Sequence, residues 1–152
     1  MSFGMSDLTP EGERYLRELE KLDNLEVAVG FQSGDTYEDG TTIVEVAAYN
    51  ELGTSNIPAR PFMSQSFLNH ESELQHACDS VIAQITDGGS AETALETLGV
   101  FAKGLVQEEI VEGGFTPNAP STIRRKKSDT PLIDTATMRQ SVNYVIRGRT
   151  GE

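Results

Sequence analysis

The two histidines stand six residues apart in His70-Glu71-Ser72-Glu73-Leu74-Gln75-His76. The stretch invites comparison with the zinc-binding HExxH helix, where imidazoles at i and i+4 share a metal and the glutamate acts as base. Here Leu74 occupies the second histidine's place. At about 100° per residue, His70 and His76 would lie roughly 120° apart around a helix, and a third ligand is missing. Both read as surface histidines. Cys78 is the single cysteine, which excludes an internal disulfide framework and a cysteine-based zinc finger. It falls on an apolar stripe with no basic partner nearby in sequence, so it reads as a small core hydrophobe rather than a nucleophile. Gly88-Gly89 and Gly113-Gly114 lack the flanking pattern of a phosphate-cradling loop and read as helix stops. No GxSxG elbow occurs. The expectation is therefore no catalytic residue, no metal ligand, no cofactor and no enzymatic activity. A metal- or carboxylate-dependent hydrolase using the many acidic side chains is a lesser alternative.

The remaining cluster with chemical potential is Arg124-Arg125-Lys126-Lys127. Four such side chains could neutralise phosphates with marked salt sensitivity, but no aromatic residue is interleaved to stack bases. The whole chain is acidic, at −12 over 152 residues. From Thr116 to Glu152 there are seven basic residues against three acidic, a net +4, so the first 115 residues carry −16. That balance excludes a protein gripping nucleic acid or an anionic membrane with its whole surface. It leaves three readings of the basic run: a solvated loop, a nucleic-acid-binding accessory site, or one end of a molecule that meets the acidic end of its neighbour.

The elements that must position these residues follow from periodicity. With 152 residues and 37% hydrophobic content, one domain over 1–152 is expected, with an N-terminal helix within 1–24, a core over 25–148 and a basic loop or short helix over 115–131. Thr9-Pro10-Glu11 has the order of N-cap, first-turn proline and acidic first turn, predicting a helix from about Pro10 to Leu22 with Tyr15, Leu19 and Leu22 as its apolar stripe. Leu25, Val27, Val29 and Phe31 alternate with Glu26, Ala28 and Gly30, which predicts a half-buried strand. Ile43–Leu52 reads as a short helix, with Gly53 at a left-handed C-cap position. Pro58 and Pro61 stiffen the connector to a long helix over 62–86, whose apolar face carries Phe67, Leu74, Cys78, Val81 and Ile85. Ser90 can cap a second long helix, about 91–112, burying Leu95, Leu98, Ala102, Leu105 and Val106. Asp134 can cap a short helix ending near Ser141, after which Val142, Tyr144 and Ile146 alternate as a second strand. The expected class is α+β: a small antiparallel sheet with strands from both ends of the chain, packed by two long helices and shorter ones. The first residues carry neither a basic nor an apolar stretch, and no uncharged run nears the ~20 residues of a membrane span, so a soluble, unexported protein is expected.

Three segments taken in order carry a resemblance. They are Tyr49-Asn50-Glu51-Leu52-Gly53-Thr54 running into Ile57-Pro58-Ala59-Arg60-Pro61-Phe62-Met63, then Pro117-Asn118-Ala119-Pro120-Ser121-Thr122-Ile123-Arg124-Arg125-Lys126, then Pro131-Leu132-Ile133-Asp134-Thr135 through Met138-Arg139-Gln140-Ser141-Val142. Over about residues 25–147 this order resembles the tail-completion, neck and virion-morphogenesis proteins of long-tailed bacteriophages. Ala136 departs from the glycine common in that family after Asp-Thr, which favours a helix start over a turn. The resemblance implies a structural virion protein of a tailed phage or prophage, forming a homo-oligomeric ring, a hexamer being favoured, at the head-proximal end of the tail or in the neck. It would be needed for tail completion or head–tail joining and be assembled in the host cytoplasm. Its expected partners are other copies and adjacent tail or head-connector ring proteins, with DNA passing through without specific binding and no membrane. Candidate interface residues are Arg60, Phe62, Arg124, Arg125, Lys126 and Lys127. For Phe62, starting a helix and covering the core is the stronger reading.

Overall fold

A computed structural model describes residues 7–31, 40, 42–56, 58–112 and 136–149. Helix α1 spans Pro10–Asp23, and Thr9 caps it as its sequence predicts, its hydroxyl accepting the Gly12 amide at 3.1 Å. Strand β1 follows at Leu25–Phe31, and helix α2 spans Ile43–Leu52. A reciprocal capping box starts α2: Thr42 accepts the Glu45 amide while the Glu45 carboxylate reaches back to the Thr42 amide. Gly53 ends α2 at φ 77°, positive as its position predicts, but with ψ 167° the backbone leaves extended rather than left-handed helical.

The long helix expected over 62–86 is two helices, α3 (Phe62–Leu68) and α4 (Glu71–Thr86). Asn69 and His70 break it, His70 sitting at φ −127°, ψ 28° as the residue before α4. An unbroken 25-residue helix would run straight for about 37 Å. Breaking it lets α3 bury Phe62 and Ser66 while α4 buries Val81 and Ile85 in a different cluster. The single stripe read from the sequence dissolves accordingly: Phe67 and Leu74 are half-buried, and Cys78, expected in the core, is exposed.

At its end, α4 makes the double hydrogen bond that follows a positive-φ glycine. Gly88 (φ 109°) donates to the Ile85 carbonyl at 3.1 Å, and Gly89 to that of Gln84 at 2.8 Å. Helix α5 spans Ala91–Glu112, with the Ser90 hydroxyl accepting the Thr93 amide at 3.1 Å. It buries Leu95, Ala102, Leu105 and Val106 as expected, while Leu98 is half-buried. Helix α6 (Ala136–Ser141) leads directly into strand β2 (Val142–Gly148).

The strands pair antiparallel along their whole length, from Leu25 opposite Gly148 to Phe31 opposite Val142. The fold is thus α+β, a two-stranded antiparallel sheet from opposite ends of the chain packed by helices. Helix α5 contacts both strands as well as α1, α3, α4 and α6. Its N-terminal half joins Leu25, Val27, Ile146, Val81 and Ile85 in one cluster. Its C-terminal half joins Val29, Phe31, Val142, Met138, Ile43 and Phe62 in another. Between the two lies Gly99, where an added Cβ would collide with the Tyr144 ring.

Helix α1 clips the α4–α5 turn electrostatically. Arg14 donates to the carbonyls of Ile85 at 2.6 Å and Gly89 at 3.1 Å, meeting the negative end of α4. One turn later, Glu18 accepts the Ala91 amide at 2.9 Å, meeting the positive end of α5. That amide, and then the Lys21 ammonium at 3.2 Å, hold the Glu18 carboxyl below its ordinary value of 4.5.

Two substitutions in α5 should move stability in opposite directions. Gly99→Ala drives a methyl into Tyr144 and should cost about 1–3 kcal/mol in urea unfolding. Gly104→Ala, with open space around its Cβ, should gain about 0.5–1 kcal/mol. Glu18 sets a pH dependence of known sign. Because its folded value is depressed, its stabilisation is complete above 4.5 and is lost as pH falls through the folded value. The gap in urea midpoint between the wild type and Glu18→Gln should therefore be widest near neutrality and shrink as pH falls below 4.5 and through the folded value.

Candidate interaction surface

The segment Asn50 to Ser64 folds into a corner locked by its own polar groups. The amide of Arg60 donates to the Asn50 carbonyl at 2.5 Å, closing a loop of ten residues back onto α2. Pro61 sits at φ −78°, ψ 64°, the dihedrals of an inverse γ-turn, and the Phe62 amide donates across it to the Arg60 carbonyl at 2.7 Å. Proline offers no side-chain cap, so α3 begins without one of its own. Glu51 supplies it from the last turn of α2: its carboxylate accepts the Met63 amide at 2.9 Å, the Ser64 amide at 3.1 Å and the Ser64 hydroxyl. The Glu51 part of the motif thus serves the Pro61-Phe62 part.

The rest of that motif divides between core and solvent. Asn50 is buried and donates to the Val46 carbonyl at 2.9 Å. Tyr49 and Leu52 face outward, Leu52 being 79% exposed, and Val44 in the first turn is also exposed. Helix α2 therefore buries Ile43, Ala47 and Asn50 while presenting a second apolar surface to solvent. Of the candidate interface residues, Phe62 is 1% exposed and stacks edge-on against Phe31 with ring centroids 6.0 Å apart, so in the isolated chain it is core. Arg60 is half-buried beside it. Arg124, Arg125, Lys126 and Lys127 lie outside the described residues, as does Asp134.

His70 Nδ1 lies 3.2 Å from the Glu73 carboxylate, at the start of α4, whereas His76 is exposed on that helix. Among the described residues, no three histidine, cysteine, aspartate or glutamate side chains lie close enough together to hold a metal ion. An open groove of about 670 Å³ at the α3–α4 elbow is lined by Phe67, Leu68, Leu74 and Cys78 with Glu71, Ser72 and Gln75. Glu71 and Cys78 are the titratable side chains among these lining residues. No described helix is long and apolar enough to cross a membrane.

The signals for the polar corner were partly in the sequence. The capping box at the start of α2 has a local signature, since Glu45 stands three residues after Thr42. The Glu51 contact joins residues twelve and thirteen apart across a proline connector, which no local pattern encodes. Replacing Glu51 by Ala should cost about 1–2 kcal/mol, since two helix amides and a hydroxyl lose an anionic acceptor. Glu51→Gln, which keeps one oxygen, should cost less; equal unfolding midpoints for all three proteins would show that the corner contributes nothing.

Comparison of the chain with protein-family models, with curated proteins and with solved structures found no match.

Proposed function

We propose that the protein is a structural component of a tailed-phage or prophage virion, forming a homo-oligomeric ring at the head-proximal end of the tail or in the neck and acting in tail completion or head–tail joining. The observation that carries this reading is the ordered set of three motifs over residues 49–63, 117–126 and 131–142. The geometry of the first motif supports it: Glu51, Arg60 and Pro61 make a rigid corner, while Tyr49 and Leu52 project from it into solvent. A corner of this kind holds apolar side chains at a fixed angle for a neighbouring subunit. The uneven charge of the sequence supports it as well: the first 115 residues carry −16 and the last 37 carry +4, and a head-to-tail ring interface uses two unlike surfaces on every copy. Exposed ion pairs contribute only about 0–1 kcal/mol each, so charge would set register and encounter rate while apolar contacts hold the ring. An acidic wall would also let DNA pass without adhering.

Native mass spectrometry of the purified protein should give one closed cyclic species, with six copies favoured. In a phage that encodes the protein, deleting the gene should leave filled heads and separate tails under the electron microscope. Normal infectious particles from the deletion would overturn the reading, and empty heads would move the protein to an earlier step.

A further inference from the structure

Among the described residues, strand β1 is paired along one edge only. Its partner β2 is likewise paired on one side, so among the described residues the sheet ends in two edges with no neighbouring strand, each seven residues long; on β2 the outward Tyr144 amide donates to its neighbour Asn143 Oδ1 at 2.9 Å. Proteins ordinarily blunt such edges with proline, lysine or a bulge, because a row of free amides and carbonyls is a template for another strand. None of these devices is present here. Leu25–Phe31 contains no proline or lysine and a single charge, Glu26; Val142–Gly148 contains no proline or lysine and a single charge, Arg147. The regular register of all seven pairs leaves no bulge.

The face turned away from α5 is small and open. It carries the pairs Glu26–Arg147, Ala28–Val145 and Gly30–Asn143. Among the described residues no atom lies within 4 Å of where a Cβ on Gly30 would stand, and Val145 is 44% exposed. That face carries no aromatic side chain, and a strand joining either edge at the ordinary spacing of about 4.8 Å would extend it in the plane of the sheet.

Charge names the occupant. Each strand carries one charge, Glu26 on β1 and Arg147 on β2, opposite in sign and both on the face turned away from α5. Within one chain these two side chains already meet, Arg147 Nε donating to Glu26 Oε1 at 3.3 Å. We propose that copies of this chain join edge to edge, the free edge of β1 in one copy pairing antiparallel with the free edge of β2 in the next. The register of the internal pair is repeated, and Glu26 and Arg147 alternate across the joined sheet. The two edges differ, so the contact is heterologous and every copy uses both, which gives a ring where the rotation from copy to copy closes. Helix α5 stays on the same side of the joined sheet in each copy, and opposite charges directly across strands add to the pairing. The inference deepens the ring reading above and rests on it.

Hydrogen exchange measured from dilute monomer up to the concentration at which native mass spectrometry sees the ring separates the possibilities. In the ring, the outward amides of both 25–31 and 142–148 should exchange about tenfold more slowly or better than in the monomer. A ring whose strand amides exchange at the monomer rate overturns the edge pairing and leaves the ring reading standing. A protein that stays monomeric at every concentration overturns both. Protection of β1 alone in a species that stops at two copies would show a symmetric β1–β1 contact and also overturn the proposal. Charge reversal supplies a second arm, with circular dichroism confirming that each variant is folded. Glu26→Lys and Arg147→Glu should each weaken self-assembly. An equimolar mixture of the two should recover it, because the lysine introduced on β1 of one variant then faces the glutamate introduced on β2 of the other. Unchanged assembly by both single variants would overturn the assigned register.

Discussion

The fold depends on the close approach of α5 to the sheet. Two strands in isolation are at best marginally stable in water, and here they come from opposite ends of the chain, so no turn holds them in register. What holds them is a 22-residue helix laid along one face, and that helix can lie flat only because Gly99 leaves room for the Tyr144 ring. A side chain at that position would lever the helix away at its middle. Both apolar clusters, which sit on either side of Gly99 along the helix, would then lose contact with the strands together.

Around that contact, the helix termini are satisfied by charged groups from elsewhere in the chain. Arg14 and Glu18, one turn apart on α1, meet the carbonyl end of α4 and the amide end of α5. Glu51, at the end of α2, meets the amide end of α3. In each case the sign matches the helix dipole, and in each case the interaction fixes an angle between helices as well as filling an orphan backbone group. The chain therefore needs little buried polar chemistry. Asn50, Ser66 and Glu109 are its buried polar side chains among the described residues, and the first two bond to backbone carbonyls of their own helices.

The surfaces left over among the described residues carry exposed apolar side chains and unpaired strand edges. Helix α2 turns Val44, Tyr49 and Leu52 outward, the α3–α4 elbow exposes Leu68, and among the described residues each strand of the sheet is paired on one side only. The structural-virion proposal and the edge pairing draw on different parts of them.

Local pattern determined most of the elements, since strand alternation and helix caps act over a few residues. Alternation at Leu25–Phe31 and Val142–Ile146 marked both strands and even their core face. Thr9-Pro10, Ser90 and Gly88-Gly89 placed helix ends within a residue or two. The antiparallel pairing followed from having two strands to join. Tertiary structure alone decided where the helix over 62–86 breaks, because α3 and α4 serve different clusters and only packing against α5 distinguishes them. That break carried Cys78 out to the surface while Val81 and Ile85 stayed in. It also decided that Phe62 faces Phe31 and that Glu51 caps α3. Both depend on distances between residues far apart in sequence, and a sequence pattern specifies direction along an element but not which element lies opposite.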